Sequence, residues 1–241
     1  MPFGVMNAPA VFQRLMQRVL SGLQFASVYL DDVIVYSETL EEHVSYLRTI
    51  FERLRKANLK LNPAKCKFVS NKVEYLGHLI TPTGLKPSER NLAAVREFPV
   101  PTNLKNLRQF LGLTSHYRRF IHNYAKIAHP LYALTRKGAQ YQLTAECEVT
   151  FETLKGKLLT PPVLAYPDFS KDFIIETDAS RHGVGAILSQ HQEDNKLHPV
   201  AYASQSVSVA EANYAITNLE TLAVVWAITH FRSGIMCMGI M

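Results

Sequence analysis

Two carboxylates stand side by side at Asp31 and Asp32, inside the stretch FASVYLDDVIVYS (residues 25–37). Strand-forming residues flank them: Phe25, Val28, Tyr29 and Leu30 before, Val33, Ile34, Val35 and Tyr36 after. β-Branched and aromatic residues on both sides of a two-residue break spell a hairpin. Asp-Asp suits that break poorly, because two-residue loops favour Asn-Gly or Asp-Gly and like charges repel. An exposed acidic turn is one reading. The other starts from the apolar flanks, which would bury both strands and bring the carboxylates near a core, where they need a counter-charge. Hard oxygen ligands suit Mg²⁺, which takes one or two carboxylates together with substrate phosphates. A divalent ion clamped on phosphates supports phosphoryl transfer.

A second acidic pair lies far downstream. Glu220 has Ile216, Ala223, Val224 and Ala227 at helical spacing around it, so it reads either as a functional acid in an apolar stripe or as a rim residue. Asp178 ends the run FIIETD and shares a strand face with Ile174 and Glu176. It reads as a strand-end cap or, with Glu220, as a second Mg²⁺ site. Between these pairs, residues 103–124 interleave Lys105, Arg108, Arg118 and Arg119 with apolar and aromatic residues. This segment is either a solvated basic face or a helix lying along a phosphate backbone. Gly112, in its middle, costs ~1 kcal/mol relative to Ala, which is easier to understand if something approaches the backbone there.

Elements must position these groups. Apolar spacing predicts a helix over 7–20 with Asn7 as cap and Pro9 in its first turn. The hairpin follows, then a second amphipathic helix from Thr39 to about Asn58. Strand-like pieces at 67–69 and 73–80 precede a turn at Pro82-Thr83-Gly84. Residues 88–98 and the longer 103–124 read as helices, with shorter helical segments after Pro130, including Phe151–Leu159. The proline-rich stretch 160–169 is the best linker candidate. Three strands then follow at 173–180, 183–190 and 197–207. Ser208, with Glu211 completing a capping box, opens a long helix to about Arg232. Strands and helices in this order make the chain α+β, with a distinct final third.

Composition narrows the classes. A net charge of +6 over 241 residues favours a polyanionic partner. The three cysteines, Cys66, Cys147 and Cys237, are widely spaced and odd in number, which writes neither a disulfide framework nor a zinc site. The longest apolar run, Leu222 to Ile228, is far shorter than the ~20 residues of a membrane span. Met1-Pro2-Phe3-Gly4 does not open a signal peptide, so an intracellular chain, cytoplasmic or nuclear, is expected.

Taken in order, MPFGVMNAPAVFQRLM (1–16), VYLDDVIVYS (28–37), LKLNPAKCKF (59–68), EYLGHLI (74–80), LRQFLGLTSHYRRFI (107–121), PVLAYPDFSKDFIIETDAS (162–180), AYASQSVSVAEANY (201–214) and ETLAVVWAI (220–228) resemble the Pol polyprotein of Ty3/gypsy-type LTR retrotransposons. The resemblance covers reverse transcriptase and the ribonuclease H that follows it. It implies the C-terminal half of an α+β palm (1–85), a thumb and connection (86–165) and an incomplete RNase H-like α/β domain (166–241), truncated after its first long helix. It implies Mg²⁺ or Mn²⁺ at Asp31 and Asp32 for polymerisation, and at Asp178 and Glu220 for hybrid cleavage. Phe3, Gly4, Asn7, Ala8, Pro9 and Tyr29 would shape the nucleotide pocket. Leu76, Gly77 and His78, with Arg108, Gly112, Arg118 and Arg119 of the thumb, would hold an RNA–DNA hybrid or DNA duplex primer–template, extended with deoxynucleoside triphosphates. A further family aspartate falls upstream of residue 1. Another lies in a strand that SGIMCMGIM (233–241) does not match, so both sites are expected to be incomplete. The expectation is a piece of a reverse transcriptase/ribonuclease H, weakly active or inactive alone, or else a non-catalytic nucleic-acid-binding remnant.

Overall fold

Phe12, Met16, Val19 and Leu20 recur at helical spacing and close one face of α1 (Ala8–Val19) onto a small core. The computed structural model describes residues 5–238, which divide into two compact units between Tyr75 and Leu76. In the first unit α1 leads to the hairpin β1 (Ala26–Tyr29) and β2 (Asp32–Val35), then α2 (Leu40–Lys56), a 3₁₀ turn at Pro63–Lys65 and β3 (Val73–Tyr75). Met16, Leu20, Ile50 and Leu54 are its buried centre, with Val28, Val33 and Val35 packed against it. Thr39 and Glu42 form a reciprocal capping box on α2, worth ~1 kcal/mol. Asn58, at φ 55°, turns the chain away after that helix. Asn7 does occupy the cap position of α1, but its own backbone is helical and its side chain makes no capping bond. The strand expected at 67–69 is absent: those residues are irregular, following the 3₁₀ turn that Pro63 starts.

The second unit begins with the antiparallel pair β4 (His78–Thr81) and β5 (Gly84–Pro87). The helices α3 (Glu89–Arg96), α4 (Leu104–His116), α5 (Tyr124–Ala133) and α6 (Ala145–Leu159) follow. Leu107, Phe110, Leu131, Phe151, Leu154 and Leu158 are their fully buried core. The single helix expected over 103–124 is broken. Buried Tyr117 ends α4, a 3₁₀ turn spans Arg118–Phe120, and Asn123 turns left-handed at φ 56° before α5. Pro130 lies inside α5 rather than before it, and α6 starts six residues earlier than read, on the Thr144 cap. The proline-rich stretch 160–169 is packed, not free. Leu164 is buried and exchanges both backbone hydrogen bonds with Leu85, at 2.8 and 3.0 Å. That approach requires Gly84, where a Cβ would lie 2.3 Å from the Leu164 carbonyl oxygen.

A three-stranded antiparallel sheet follows: β6 (Ile174–Ser180), β7 (Gly183–His191) and β8 (Leu197–Gln205) in sequence order. Its register gives the two faces distinct partners. Ile175, Ala186, Leu188 and Ala203 share a core with Ala227 and Phe231 of α7 (Ile216–Met238). On the other face Asp178, Gly185 and Ser204 meet the start of α5. The Ser208–Glu211 box forms in both directions, but it caps a one-turn 3₁₀ helix at Glu211–Asn213. Tyr214, extended, separates that turn from α7. Among the described residues no helix is long and apolar enough to cross a membrane.

Candidate metal and nucleic-acid sites

The hairpin register pairs Tyr29 with Asp32, Val28 with Val33 and Ala26 with Val35. Its two-residue loop is therefore Leu30-Asp31, one position earlier than the break read from the sequence. Leu30 sits at φ 52°, a left-handed conformation that costs an L-residue about 1–2 kcal/mol. Gln13 of α1 holds it there. Its Oε1 accepts from the Leu30 amide, and its Nε2 donates to the Val28 carbonyl at 3.2 Å. Both bonds fix the backbone that presents the carboxylates. Gln13 was not singled out from the sequence, although an amide between the core positions Phe12 and Met16 was a visible signal.

Only one face of the hairpin packs on the core. Ser27, Tyr29 and Asp32 occupy the other, and Asp31 and Asp32 are both exposed. Apolar flanks thus bury one side of the ribbon and leave its acidic end open. Tyr75 lies against the outer face. Burial, helped by the Asp32 carboxylate and opposed by a hydrogen bond with Ser27, holds its phenol above the ordinary value. Asn7 and Pro9 are exposed at the start of α1, Ala8 is half-buried, and Tyr29 is exposed. Phe3 and Gly4 lie outside the described residues.

As a donor set the hairpin offers two adjacent, accessible carboxylates, which fits Mg²⁺ if phosphate oxygens and water complete the octahedron. Among the described residues, no group of three or more His, Cys, Asp or Glu is placed to hold a metal.

Asp178 has different company. It lies within β6 rather than at its end, opposite Gly185. Its Oδ2 accepts from Asn123 Nδ2 at 2.7 Å and stands 3.6 Å from Lys126 Nζ. Both members of that ion pair are well exposed, so it is weak and leaves the carboxylate open to a cation. Glu220 is exposed on α7, and so are Ile216 and Val224 beside it. The buried stripe of that helix is Leu219, Ala223, Ala227 and Phe231, so of the apolar neighbours read around Glu220 only Ala223 and Ala227 belong to the core, and Glu220 lies on the exposed side with Ile216 and Val224.

Leu76 and Gly77 form a tight turn, both at positive φ. Tyr117 donates to the Gly77 carbonyl at 2.7 Å, and Asn91 in turn donates to the Tyr117 hydroxyl. His78 stands in an aromatic group with His116, Tyr117 and Phe120, with ring centroids 5.4–5.7 Å away. Burial, then the Arg119 and His116 charges, lower its pKa against the Leu76 carbonyl bond. Arg108 is exposed on α4 with Lys105. A Cβ at Gly112 would meet nothing within 4 Å, so no described part of the chain uses the opening. Arg118 is exposed beside a cleft of ≈ 260 Å³ shared with Tyr132, Trp226 and His230. Arg119 turns inward.

Residues 1–80 match the reverse transcriptase (RNA-dependent DNA polymerase) family, and residues 143–240 match the RNase H-like domain found in reverse transcriptase. The chain is 42% identical over 236 residues to the retrovirus-related Pol polyprotein from transposon 297 of Drosophila melanogaster, covering 96% of this chain and 22% of that protein. It is 40% identical to the opus Pol polyprotein of the same organism, covering 97% of this chain and 24% of that protein. With the Tf2-3 polyprotein of Schizosaccharomyces pombe identity is 38%, over 96% of this chain and 18% of that protein. The chain thus spans about a fifth of the length of these relatives. Among solved structures it is similar to foamy viral protease-reverse transcriptase in complex with double-stranded DNA (TM-score 0.83, 26% identity, 97% of this chain and 49% of that one). It is also similar to that protein in complex with RNA/DNA hybrid (TM-score 0.80, 26% identity, 95% and 31%).

Proposed function

The chain belongs to the Ty3/gypsy-type retrotransposon Pol family, as reverse transcriptase with an RNase H-like domain, and from that membership we propose that it binds primer–template duplexes and presents a two-carboxylate Mg²⁺ site for nucleotide addition. The observation that carries the proposal is the hairpin loop itself. A strained Leu30 is clamped by Gln13, and the Asp31 and Asp32 that follow it are both exposed at the hairpin end. Asp31 and Asp32 would hold the ion, and the ion would neutralise phosphate charge. Tyr29, paired with Asp32, would lie under the incoming deoxynucleoside triphosphate. Gln13 keeps both carboxylates in place.

Lys105, Arg108 and Arg118 would track the duplex backbone, giving affinity that falls steeply with salt. The turn Leu76–His78, pinned through Tyr117, would support the primer end. Domain limits of 1–85, 86–165 and 166–241 belong to the same reading. With two carboxylates as its own donor set at the hairpin, and no group of three metal-ligating side chains among the described residues, the chain alone turns over weakly or not at all at either site.

Fluorescence anisotropy on a labelled RNA–DNA hybrid, run beside primer extension in Mg²⁺ and Mn²⁺, tests this. Salt-sensitive binding that survives Asp31→Asn, with extension that is slow and lost in that variant, is the expected outcome. Absence of binding at low salt overturns the reading. Fast extension overturns the claim of weak turnover.

A further inference from the structure

Arg119 belongs to the basic segment expected to track a duplex, but it is half-buried within the second unit. It lines a cavity of ≈ 200 Å³ whose other walls include Leu85, Leu164, Phe173, Leu188, Val200 and Phe231. The walls are nearly all hydrocarbon. The Nε of Arg119 is sealed from solvent without a hydrogen-bond partner, and none of the ion pairs among the described residues involves this side chain. Burial alone lowers its pKa, with no acidic neighbour opposing. A guanidinium keeps its proton even so, and a half-buried charge with its Nε unpaired and no counter-ion favours an anionic partner.

The dimensions define what would relieve it. An apolar cavity of ~150 Å³ admits benzene, so this one admits a single aromatic ring with a short acidic arm. Guanidinium and carboxylate match as a bidentate pair, and such charge-assisted bonds are about twice as strong as neutral ones. We propose that the Arg119 cavity is a binding site for a small aromatic monocarboxylate, its ring among Leu85, Leu188 and Phe231 and its carboxylate on the Arg119 guanidinium. The cavity lies where the 3₁₀ turn after α4, the packed 160–169 stretch, the sheet and α7 converge. An occupant therefore ties the helical and sheet halves of the unit together. The site stands apart from the polymerase reading and does not depend on it.

Phenylacetate and its neutral isostere phenylacetamide are suitable probes, followed by saturation-transfer NMR and thermal unfolding of the whole chain. Phenylacetate is expected to show saturation transfer and to raise the melting temperature, with phenylacetamide at least ~10-fold weaker, the factor that 1.4 kcal/mol represents. Arg119→Gln should erase the difference between acid and amide. Ala201→Leu, which fills the cavity from β8, should abolish both signals. The proposal is overturned if phenylacetate shows no transfer at ~10 mM, the weak end for so small a ligand. It is equally overturned if wild type binds acid and amide alike, or if the preference for the acid persists in either variant. The acid–amide comparison on wild type decides the matter even if Arg119→Gln does not fold.

Discussion

Replacing Gly185 by Ala should unlock the junction between α5 and the sheet, and the structure says how much that costs. A Cβ at residue 185 would stand 1.9 Å from Asn123 Oδ1 and 3.1 Å from its Cγ. Asn123 cannot simply rotate away, because its Nδ2 is bonded to Asp178 and its backbone is held left-handed. Overpacking of this kind costs about 1–3 kcal/mol. Displacing the amide also breaks a hydrogen bond to a carboxylate. The Asp178 side chain is 42% exposed and that of Lys126 48%, so this loss is discounted to at most about 1 kcal/mol. The total is ~2–3 kcal/mol, or roughly 5–10 °C for a unit of this size. Asn123→Gly removes the obstructing amide and puts at φ 56° the residue that accepts positive φ most readily. Alone it should change stability by less than ~1 kcal/mol. In that background Gly185→Ala should become nearly neutral, a coupling of at least ~1.5 kcal/mol in a double-mutant cycle. Urea unfolding of the four proteins measures it. Equal cost of Gly185→Ala in both backgrounds would refute the reasoning.

Gln13→Ala should remove both amide bonds to the hairpin and leave Leu30 strained without support, lowering stability by about 1–2 kcal/mol. Amide exchange at Leu30 should rise more than at Val33, which NMR can follow. Arg118→Ala should weaken hybrid binding and reduce the salt slope by about one ion, whereas Arg119→Gln should leave that slope unchanged; anisotropy titrations at several salt concentrations separate the two. His78, His122, His129 and His230 all have pKa values lowered, in each case chiefly by burial. Below about pH 6.5 the unfolded chain takes up protons that the folded one resists, so stability should fall as pH falls and level off above neutrality. Urea midpoints between pH 5 and 8 report this, and His78→Gln should flatten the curve.

The hairpin, α2 with its Thr39 start, the three strands and the long last helix were all legible, because each is written in local periodicity and flanking turn residues. What was not legible depends on contacts across the fold. Apolar spacing continues through Tyr117 and Phe120, so 103–124 reads as one helix. The break follows from Tyr117 reaching the Gly77 carbonyl and from Asn123 turning left-handed to meet Asp178. The last helix carries apolar residues on most of its circumference between Ile216 and Phe231, so pattern could not tell whether Ala223 and Ala227 are buried with Glu220, Ile216 and Val224 or, as found, with Leu219 and Phe231. The loop at Leu30-Asp31 escaped for the opposite reason. No rule of turn chemistry places Leu at positive φ, and only Gln13, seventeen residues earlier, makes it tenable. The aspartates themselves were plain from residue type, and their exposure follows from the ribbon having one packed face.

The proposed function depends on Asp31 and Asp32 acting as a cation site with nucleotide phosphates. Mn²⁺ titration followed by electron paramagnetic resonance, with a deoxynucleoside triphosphate and an RNA–DNA primer–template present, tests that directly. Wild type should bind Mn²⁺ beyond what the nucleotide alone retains, and the paired variant Asp31→Asn, Asp32→Asn should lose that excess while still binding the duplex. Identical Mn²⁺ uptake by the two proteins would contradict it.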